Sequence, residues 1–431
     1  MSGEVDITHG GAIAVDTELL RNLAVRLRAV AERTDAAGTS SLQAAAVPTP
    51  VAFIGVRPGR DVGWDVSPLS VISTRLQGMA DTMRATAVAV ERMCEVYELV
   101  ELRARLRFAS EAEAAVLAAD IAELEAADPT RARMADWVTA AWEQERFEGL
   151  HAQTAIGSPT LLWMLPLFTG AVMGTGVRNG LLAAGATLRP GSGGSVTLTE
   201  TSRTTRAHAP QSLGQAFERF PKDGPQLRVD RYRMPDGSDE FVLYAGGTSG
   251  VAGAEPWDMT SNVQMYLGGA ESASYRATLD ALAAAGAEPG ATVHALGYSQ
   301  GGMIVSFLAS GGEYEVPTLI TAGSPVAPTL GDDTLVVQVR HTDDPVSALA
   351  GGGSSAGTGA PESIVARRQQ DPLPSPGDLV LTSHHFSGYV ETAELLDATA
   401  DSRLRGLDEL WTRLGTATGI ESTQYRAERD G

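Results

Sequence analysis

A chain of 431 residues with 43% apolar and 20% charged side chains is long enough for two or three globular domains and too apolar to be disordered. A formal net charge of −20 argues against nucleic acid and against anionic membrane surfaces as partners. The single cysteine, Cys94, excludes an intrachain disulfide and suits a reducing compartment.

The opening residues, MSGEVDITHGG, carry neither the basic flank nor the apolar stretch of a secretory signal peptide, so the expected location is the cytoplasm, or outside the cell by a route that needs no such signal. The run VDTELLRNLAVRLRAVAERT then predicts a helix with Leu20, Leu23, Leu27 and Val30 on one face and Asp16 as its N-cap. After a Pro- and Gly-containing connection (47–64), a long helix starts near Pro68. Leu69, Ile72, Leu76, Met79, Met83, Val90, Met93, Tyr97 and Val100 follow 3–4 spacing with Thr86 as the polar interruption, so they read as a seam that should pack within the chain. A third helix is predicted over 110–127. A fourth follows Asp128-Pro129, around Trp137, Trp142 and Phe147. Residues 1–150 therefore read as a bundle of antiparallel helices.

Residues 149–177 contain no Asp, Glu, Lys or Arg, and 161–177 is at the short limit for a membrane span. Pro166, Gly170, Gly174 and Gly176 interrupt it, which favours a helical hairpin packed on the rest of the protein. RPGSGGSV (189–196) reads as a linker, so 151–195 forms an apolar helical segment and linker between two domains. In 196–431 the pattern changes. VTLTETSRTTRA reads as a strand or extended arm and SLGQAFERF as a short helix. QLRVDRYRM and EFVLYAGGT flank the turn PDGSD. TVHALGY, PTLITAG and TLVVQVR are short buried-strand runs, with helical stretches at 272–286 and 300–311 between them. Alternating strand and helix predicts an α/β domain with a mainly parallel sheet.

Within it, Gly297-Tyr298-Ser299-Gln300-Gly301 sits where a buried strand passes into an apolar helix. A tight strand–turn–helix elbow with small residues on both sides is what presents a serine hydroxyl at the carboxyl edge of a sheet. A nucleophilic serine needs an acid and a base, in that chain order for this kind of elbow. Asp343 and Asp344, after the strand TLVVQVR, are the acid candidates. His384 and His385, after the predicted strand DLVLTS and before a helix from about Ser387, are the base candidates. The oxyanion donors expected are the backbone N–H of Gln300 and a group from the loop Gly246-Gly247-Thr248. No His, Cys and Asp cluster has ligand spacing, so neither metal nor cofactor is expected.

These residues resemble the α/β-hydrolase superfamily, and within it the cutinase-like serine esterases, over roughly residues 226–400. GYSQGG resembles their nucleophile motif. HTDDPV resembles their acid loop, which implies Asp344 as the acid. AGGTSG resembles their oxyanion loop, which implies Thr248 beside Gly247. The stretch WDMTSNVQMYLGG and the spacing from His384 to Tyr389 resemble a group of uncharacterised bacterial hydrolases with helical N-terminal regions, which implies His384 rather than His385 as the base. The cutinase cysteines are missing here, the acid-to-histidine separation is longer and a helical half is added. The resemblance implies a small-molecule or lipid ester as substrate. The helical half loosely resembles the WXG-type hairpins of type VII secretion, with Tyr97 and Glu101 matching Y-x-x-x-[DE] and Trp64-Asp65-Val66 replacing the W-x-G turn. That likeness implies a protein partner or secretion role for the helices, and a second reading in which the hydrolase half is a degenerate scaffold.

Overall fold

The computed structural model describes residues 5–9, 17–46, 67–106, 111–145, 150, 180–191, 194–205, 208–250, 252–351, 359–371, 381–399 and 401–430. The expected hairpin over 154–177, the Trp64 connection and Phe147 lie outside them. The chain divides into two compact units, one of residues 15–103 and 115–137 and one of 1–14, 104–114 and 138–431. The protein is mixed α/β, with a largely parallel central sheet and an N-terminal helical region. Among the described residues no helix is long and apolar enough to cross a membrane.

In the helical unit α1 (Thr17–Ala46) and α2 (Ser67–Leu106) lie antiparallel, with α3 (Glu111–Ala127) and α4 (Pro129–Glu145) after them. The expected seam is corrected here in part. A row of small residues at seven-residue steps is fully buried, Ala24, Ala31 and Gly38 on α1 and Ser73, Ala80, Ala87 and Cys94 on α2, and toward the end of α2 it is joined by the buried Val96, Leu99 and Val100. A Cβ on Gly38 would stand 3.3 Å from the Leu76 Cβ and from the Ser73 carbonyl, so the backbones approach closely. That close approach pushes large side chains sideways. Of the expected α2 seam, Leu69, Leu76, Met83, Val90, Met93 and Tyr97 are half-buried and Val100 is buried, while Ile72 and Met79 are exposed, Met79 by 52%; Leu23 and Val30 of α1 are exposed as well. Trp137 on α4 is exposed too. Glu101 is exposed beside the half-buried Tyr97. On the other flank three ion pairs, Arg21–Glu98, Arg28–Glu91 and Asp35–Arg84, repeat at the same heptad step. Arg103 joins α2 to Glu125 of α3 and Asp136 of α4, and Arg131 joins α4 to Glu95.

The second unit is built on a nine-stranded sheet. Its strands are β1 (Asp6–His9), β3 (Val196–Thr204), β4 (Leu227–Arg233), β5 (Asp239–Ala245), β6 (Thr292–Tyr298), β7 (Glu315–Ala322), β9 (Leu335–His341), β10 (Ile364–Arg368) and β11 (Gly419–Arg429), in the order β1-β10-β9-β7-β6-β5-β4-β11-β3. The neighbours β10-β9-β7-β6-β5 are parallel, and antiparallel strands close both edges. One face is covered by α6 (Met259–Tyr266), α7 (Ala273–Ala284) and α8 (Gln300–Gly311). The other carries α5 (Leu213–Glu218), α10 (Phe386–Asp397) and α11 (Arg405–Gly415), giving one apolar core on each side. Between β9 and β10 lies the single turn α9 (Pro345–Ala348).

Several boundaries differ from the expected ones. Asp6–His9, inside the region read as helical, is an edge strand of the sheet. Leu181–Leu182 forms β2, which pairs with β8 (Ala327–Pro328). The Gly-rich stretch read as a linker is tied down where it is described: Arg189 exchanges backbone bonds with Gly269 and Glu271, and Arg276 donates to the Gly191 and Gly194 carbonyls. The end of the predicted strand DLVLTS is not extended. Leu381 has φ 57° and Thr382–His384 form a 3-10 turn.

The small-residue seam sets an expectation for denaturant unfolding of the helical unit. Ala87→Leu overpacks the buried row and should destabilise by about 1–3 kcal/mol. Met79→Asp, on the exposed flank, should stay within about 0.5 kcal/mol of wild type. The reverse order would refute the seam.

Candidate active site

The elbow forms because β6 runs directly into α8. Ser299 takes φ 53° and ψ −118°, a conformation costing a side-chain-bearing residue about 1–3 kcal/mol unless the surroundings enforce it. They do so on both sides. The Ser299 N–H donates to the Ala322 carbonyl of β7 (2.9 Å), and Met303 N–H donates back to the Ser299 carbonyl (3.2 Å). A Cβ on Gly301 would stand 2.0 Å from the Ala245 carbonyl at the end of β5, so only glycine lets α8 start this close to the sheet. The helix N-terminus therefore points at the serine, and its unpaired N–H groups favour negative charge there.

The loop carrying Asp343 and Asp344 follows β9. Asp344 has no exposed surface and caps α9, one carboxylate oxygen accepting from Val346 N–H (2.8 Å), with Pro345 setting the first helical φ. Its other oxygen, Oδ2, accepts from His384 Nδ1 (2.7 Å) and from the Tyr389 hydroxyl. Because the carboxylate accepts, His384 Nδ1 carries the proton. Its Nε2 is left to accept from Ser299 Oγ at 2.9 Å. Burial alone would raise the Asp344 pKa; the charge and hydrogen bond of His384, with the Tyr389 hydrogen bond, outweigh it and hold the group below its ordinary value. Asp343, also fully buried, turns the other way and accepts from Gln370 and Asp371 backbone N–H groups (3.0 and 2.6 Å), while burial pushes its pKa up. Of the sequence candidates, Ser299, His384 and Asp344 come together. Asp343 has a structural post, and His385 stands at the start of α10.

The loop 246–248 passes beside Ser299. A Cβ on Gly247 would lie 2.6 Å from the Tyr298 ring and 3.2 Å from Ser299 Cβ, so no side chain fits there. Thr248 Oγ1 donates to Gln300 Oε1 (3.0 Å) and accepts from Asn262 Nδ2 (2.9 Å), and Gln300 Nε2 donates to Ser274 (3.0 Å). Thr248 and Gln300 are thus brought together on one side of Ser299. Asn262 lies in the stretch WDMTSNVQMYLGG but was not singled out there, and Ser274 had no local sequence signal. Asn262 is placed by α6, whose cap Asp258 accepts from Ser261 N–H and is itself held by Arg429 of β11. The histidine is steadied by aromatic rings: Tyr298 stacks on it at 5.3 Å and donates to the His384 carbonyl at 2.6 Å.

An apolar cleft of about 200 Å³ opens at Ser299 and His384, walled by Met259, Val263 and Tyr266 of α6, Met303 of α8, and Val346, Leu349 and Leu381. Among the described lining residues there is no Asp, Glu, Lys or Arg. Comparison with known proteins finds no matching family model, no matching curated protein and no matching solved structure.

Beside Asp344 and Tyr389 lies His341, whose Nδ1 donates to the Ser383 carbonyl (2.7 Å) and whose Nε2 faces Thr392 Oγ1 (2.9 Å). Burial lowers its pKa to about 4 from 6.5. The fold therefore holds it neutral, while the unfolded chain takes up a proton below 6.5. Stability contributed by His341 is complete above pH 6.5 and declines as the pH drops from 6.5 to 4, by at most about 1.4 kcal/mol per pH unit. Urea unfolding across that range should show a shallower pH dependence in His341→Gln than in wild type. An equal slope would mean the imidazole is charged in the fold.

Proposed function

We propose that this chain is a serine hydrolase of the α/β-hydrolase type that cleaves a carboxylic ester through an acyl-enzyme. The observation that carries the reading is the hydrogen-bonded line from Asp344 through His384 to Ser299, with links of 2.7 and 2.9 Å. The line sits at the carboxyl ends of parallel strands, where open α/β sheets bind ligands. The chain order serine, aspartate, histidine matches the elbow geometry.

In this mechanism Ser299 Oγ attacks the ester carbonyl as His384 Nε2 takes its proton. Asp344 stabilises the imidazolium and fixes the ring. The negative oxygen is held by the Gln300 N–H at the start of α8 and by Thr248, whose hydroxyl proton turns from Gln300 Oε1 to the oxyanion while Asn262 keeps hold of its oxygen. His384 passes its proton to the leaving alcohol. Water then attacks the acyl-enzyme, again losing a proton to His384, and the acid is released with Ser299 restored. The cleft is smaller than the roughly 300–1,000 Å³ usual for whole ligands, which fits a short to medium acyl chain with the alcohol left outside. The lack of charged lining among the described residues favours an uncharged acyl group.

Purified protein should hydrolyse p-nitrophenyl butyrate and hexanoate faster than the palmitate. A fluorophosphonate should label the chain, and Ser299→Ala should abolish both the label and the turnover, the latter by about 10⁴–10⁶-fold. Asp344→Asn should lower kcat by about 10⁴-fold, since an amide leaves the histidine in the wrong tautomer. Asp343→Asn should act on stability far more than on kcat. No labelling of the wild type would refute the hydrolase reading, and equal kcat losses from the two aspartates would refute the acid assignment.

A second reading gives the helical region a partner-binding role beside the chemistry. The exposed Leu23, Val30, Ile72 and Met79 favour it, being apolar side chains left facing water.

A further inference from the structure

A serine, a histidine and an aspartate account for bond making and breaking, but the geometry around Asp344 gives a fourth side chain a part. We propose that Tyr389 is a positioning residue for the triad, its hydroxyl occupying the same Asp344 oxygen that His384 uses and so setting how strongly that oxygen can hold the histidine's proton. This rests on the hydrolase reading above and deepens it.

The phenol is built in. Tyr389 has no exposed surface, and its ring lies flat on His341, centroids 3.9 Å apart and planes within 9°. His341 is anchored at both ring nitrogens, to the Ser383 carbonyl and to Thr392, so the platform under the phenol does not turn. The His341 backbone N–H reaches the phenol oxygen at 3.4 Å. The phenol's own proton is thereby left for Asp344 Oδ2. Burial, then the Asp344 charge and the hydrogen bond to it, push the Tyr389 pKa well above its ordinary value, so it remains a donor at every working pH.

One carboxylate oxygen with two donors is less basic than the same oxygen with one. The aspartate is therefore kept ionised and oriented, without binding the imidazolium so tightly that its proton is slow to leave for the alcohol. The other titratable groups facing this carboxylate are His384 on its turn, His341 at the end of β9, the adjacent Asp343, and Tyr298 from β6. Of these, His384 alone shares the Oδ2 atom with Tyr389 through a direct hydrogen bond.

The test is Tyr389→Phe, which keeps the ring and its stack on His341 and removes one oxygen. Its first readout needs no turnover: the ring-proton NMR titration of His384, identified by the signal missing in His384→Gln. The midpoint should rise by several tenths of a pH unit in Tyr389→Phe, because the carboxylate now serves the imidazolium alone. With p-nitrophenyl butyrate, kcat should fall about tenfold with KM unchanged, and the acid limb of kcat/KM should move up with the NMR midpoint. A midpoint that stays still or falls overturns the proposal, whatever the rate does. If the midpoint rises but the wild type cleaves no ester and takes no fluorophosphonate, the pairing at Asp344 stands and the hydrolase reading falls.

Discussion

A carboxylate removed from water persists as an anion only if donors from the protein replace the lost solvent. Asp344 has no exposed surface, and three donors from three places meet it: the backbone of its own short helix, the ring of His384 and the hydroxyl of Tyr389. Satisfying that one group fixes the start of α9, the turn Thr382–His384 and the first turns of α10 relative to one another. Ser299 then needs only the right elbow to meet a histidine already aimed at it. The strained serine backbone is held by the sheet and the imidazole by Asp344, and Tyr298, the residue before the serine, ties the two through its hydrogen bond to the His384 carbonyl.

The other end of the sheet shows that the same chemical groups do not make such a site by themselves. There Glu240 Oε2 faces His294 Nε2 at 3.3 Å and Thr318 Oγ1 faces His294 Nδ1 at 3.0 Å, a carboxylate, an imidazole and a hydroxyl in line. Arg413 also claims the carboxylate, and the Glu240 pKa is lowered to about 2 by the hydrogen bond from His294, with Arg413 adding to it against burial. Thr318 lies within a regular strand rather than on an elbow with a helix start behind it. The line serves as a polar tie between β5, β6, β7 and α11. Placement of the hydroxyl, more than the presence of a triad, separates the two.

How much of this was legible in the sequence follows from the range of the forces involved. The elbow, the Asp343-Asp344 loop and the histidine pair are local patterns, because a tight turn demands small residues within a few positions of the serine. The parallel strands β5, β6, β7 and β9 were legible as short apolar runs. The choice of Asp344 over Asp343 came from resemblance; in the structure it depends on which way two adjacent side chains turn, and that is decided by Gln370, Asp371 and Tyr389 far along the chain. Strands β1, β10 and β11 were missed because they are short or carry charged side chains, and pairing with neighbours decides them. The seam between α1 and α2 was misread at Ile72 and Met79 for a different reason. Hydrophobic periodicity weights large side chains, whereas close packing of two helices selected the alanines one position away.

The flank of that hairpin carries a consequence for how the two helices find each other. A repeat of small residues every seven positions is nearly degenerate: sliding α1 along α2 by one heptad would again set alanine beside alanine. The charges remove the degeneracy, because the third rung is reversed. Arg21 and Arg28 lie on α1 and face glutamates, but in the rung Asp35–Arg84 the acid lies on α1. A slip one way would confront Arg28 with Arg84, and a slip the other way would confront Asp35 with Glu91. Exposed ion pairs of this kind add little to stability, yet here their order of signs acts as a reading frame, admitting one alignment of an otherwise repetitive interface and rejecting its neighbours on either side.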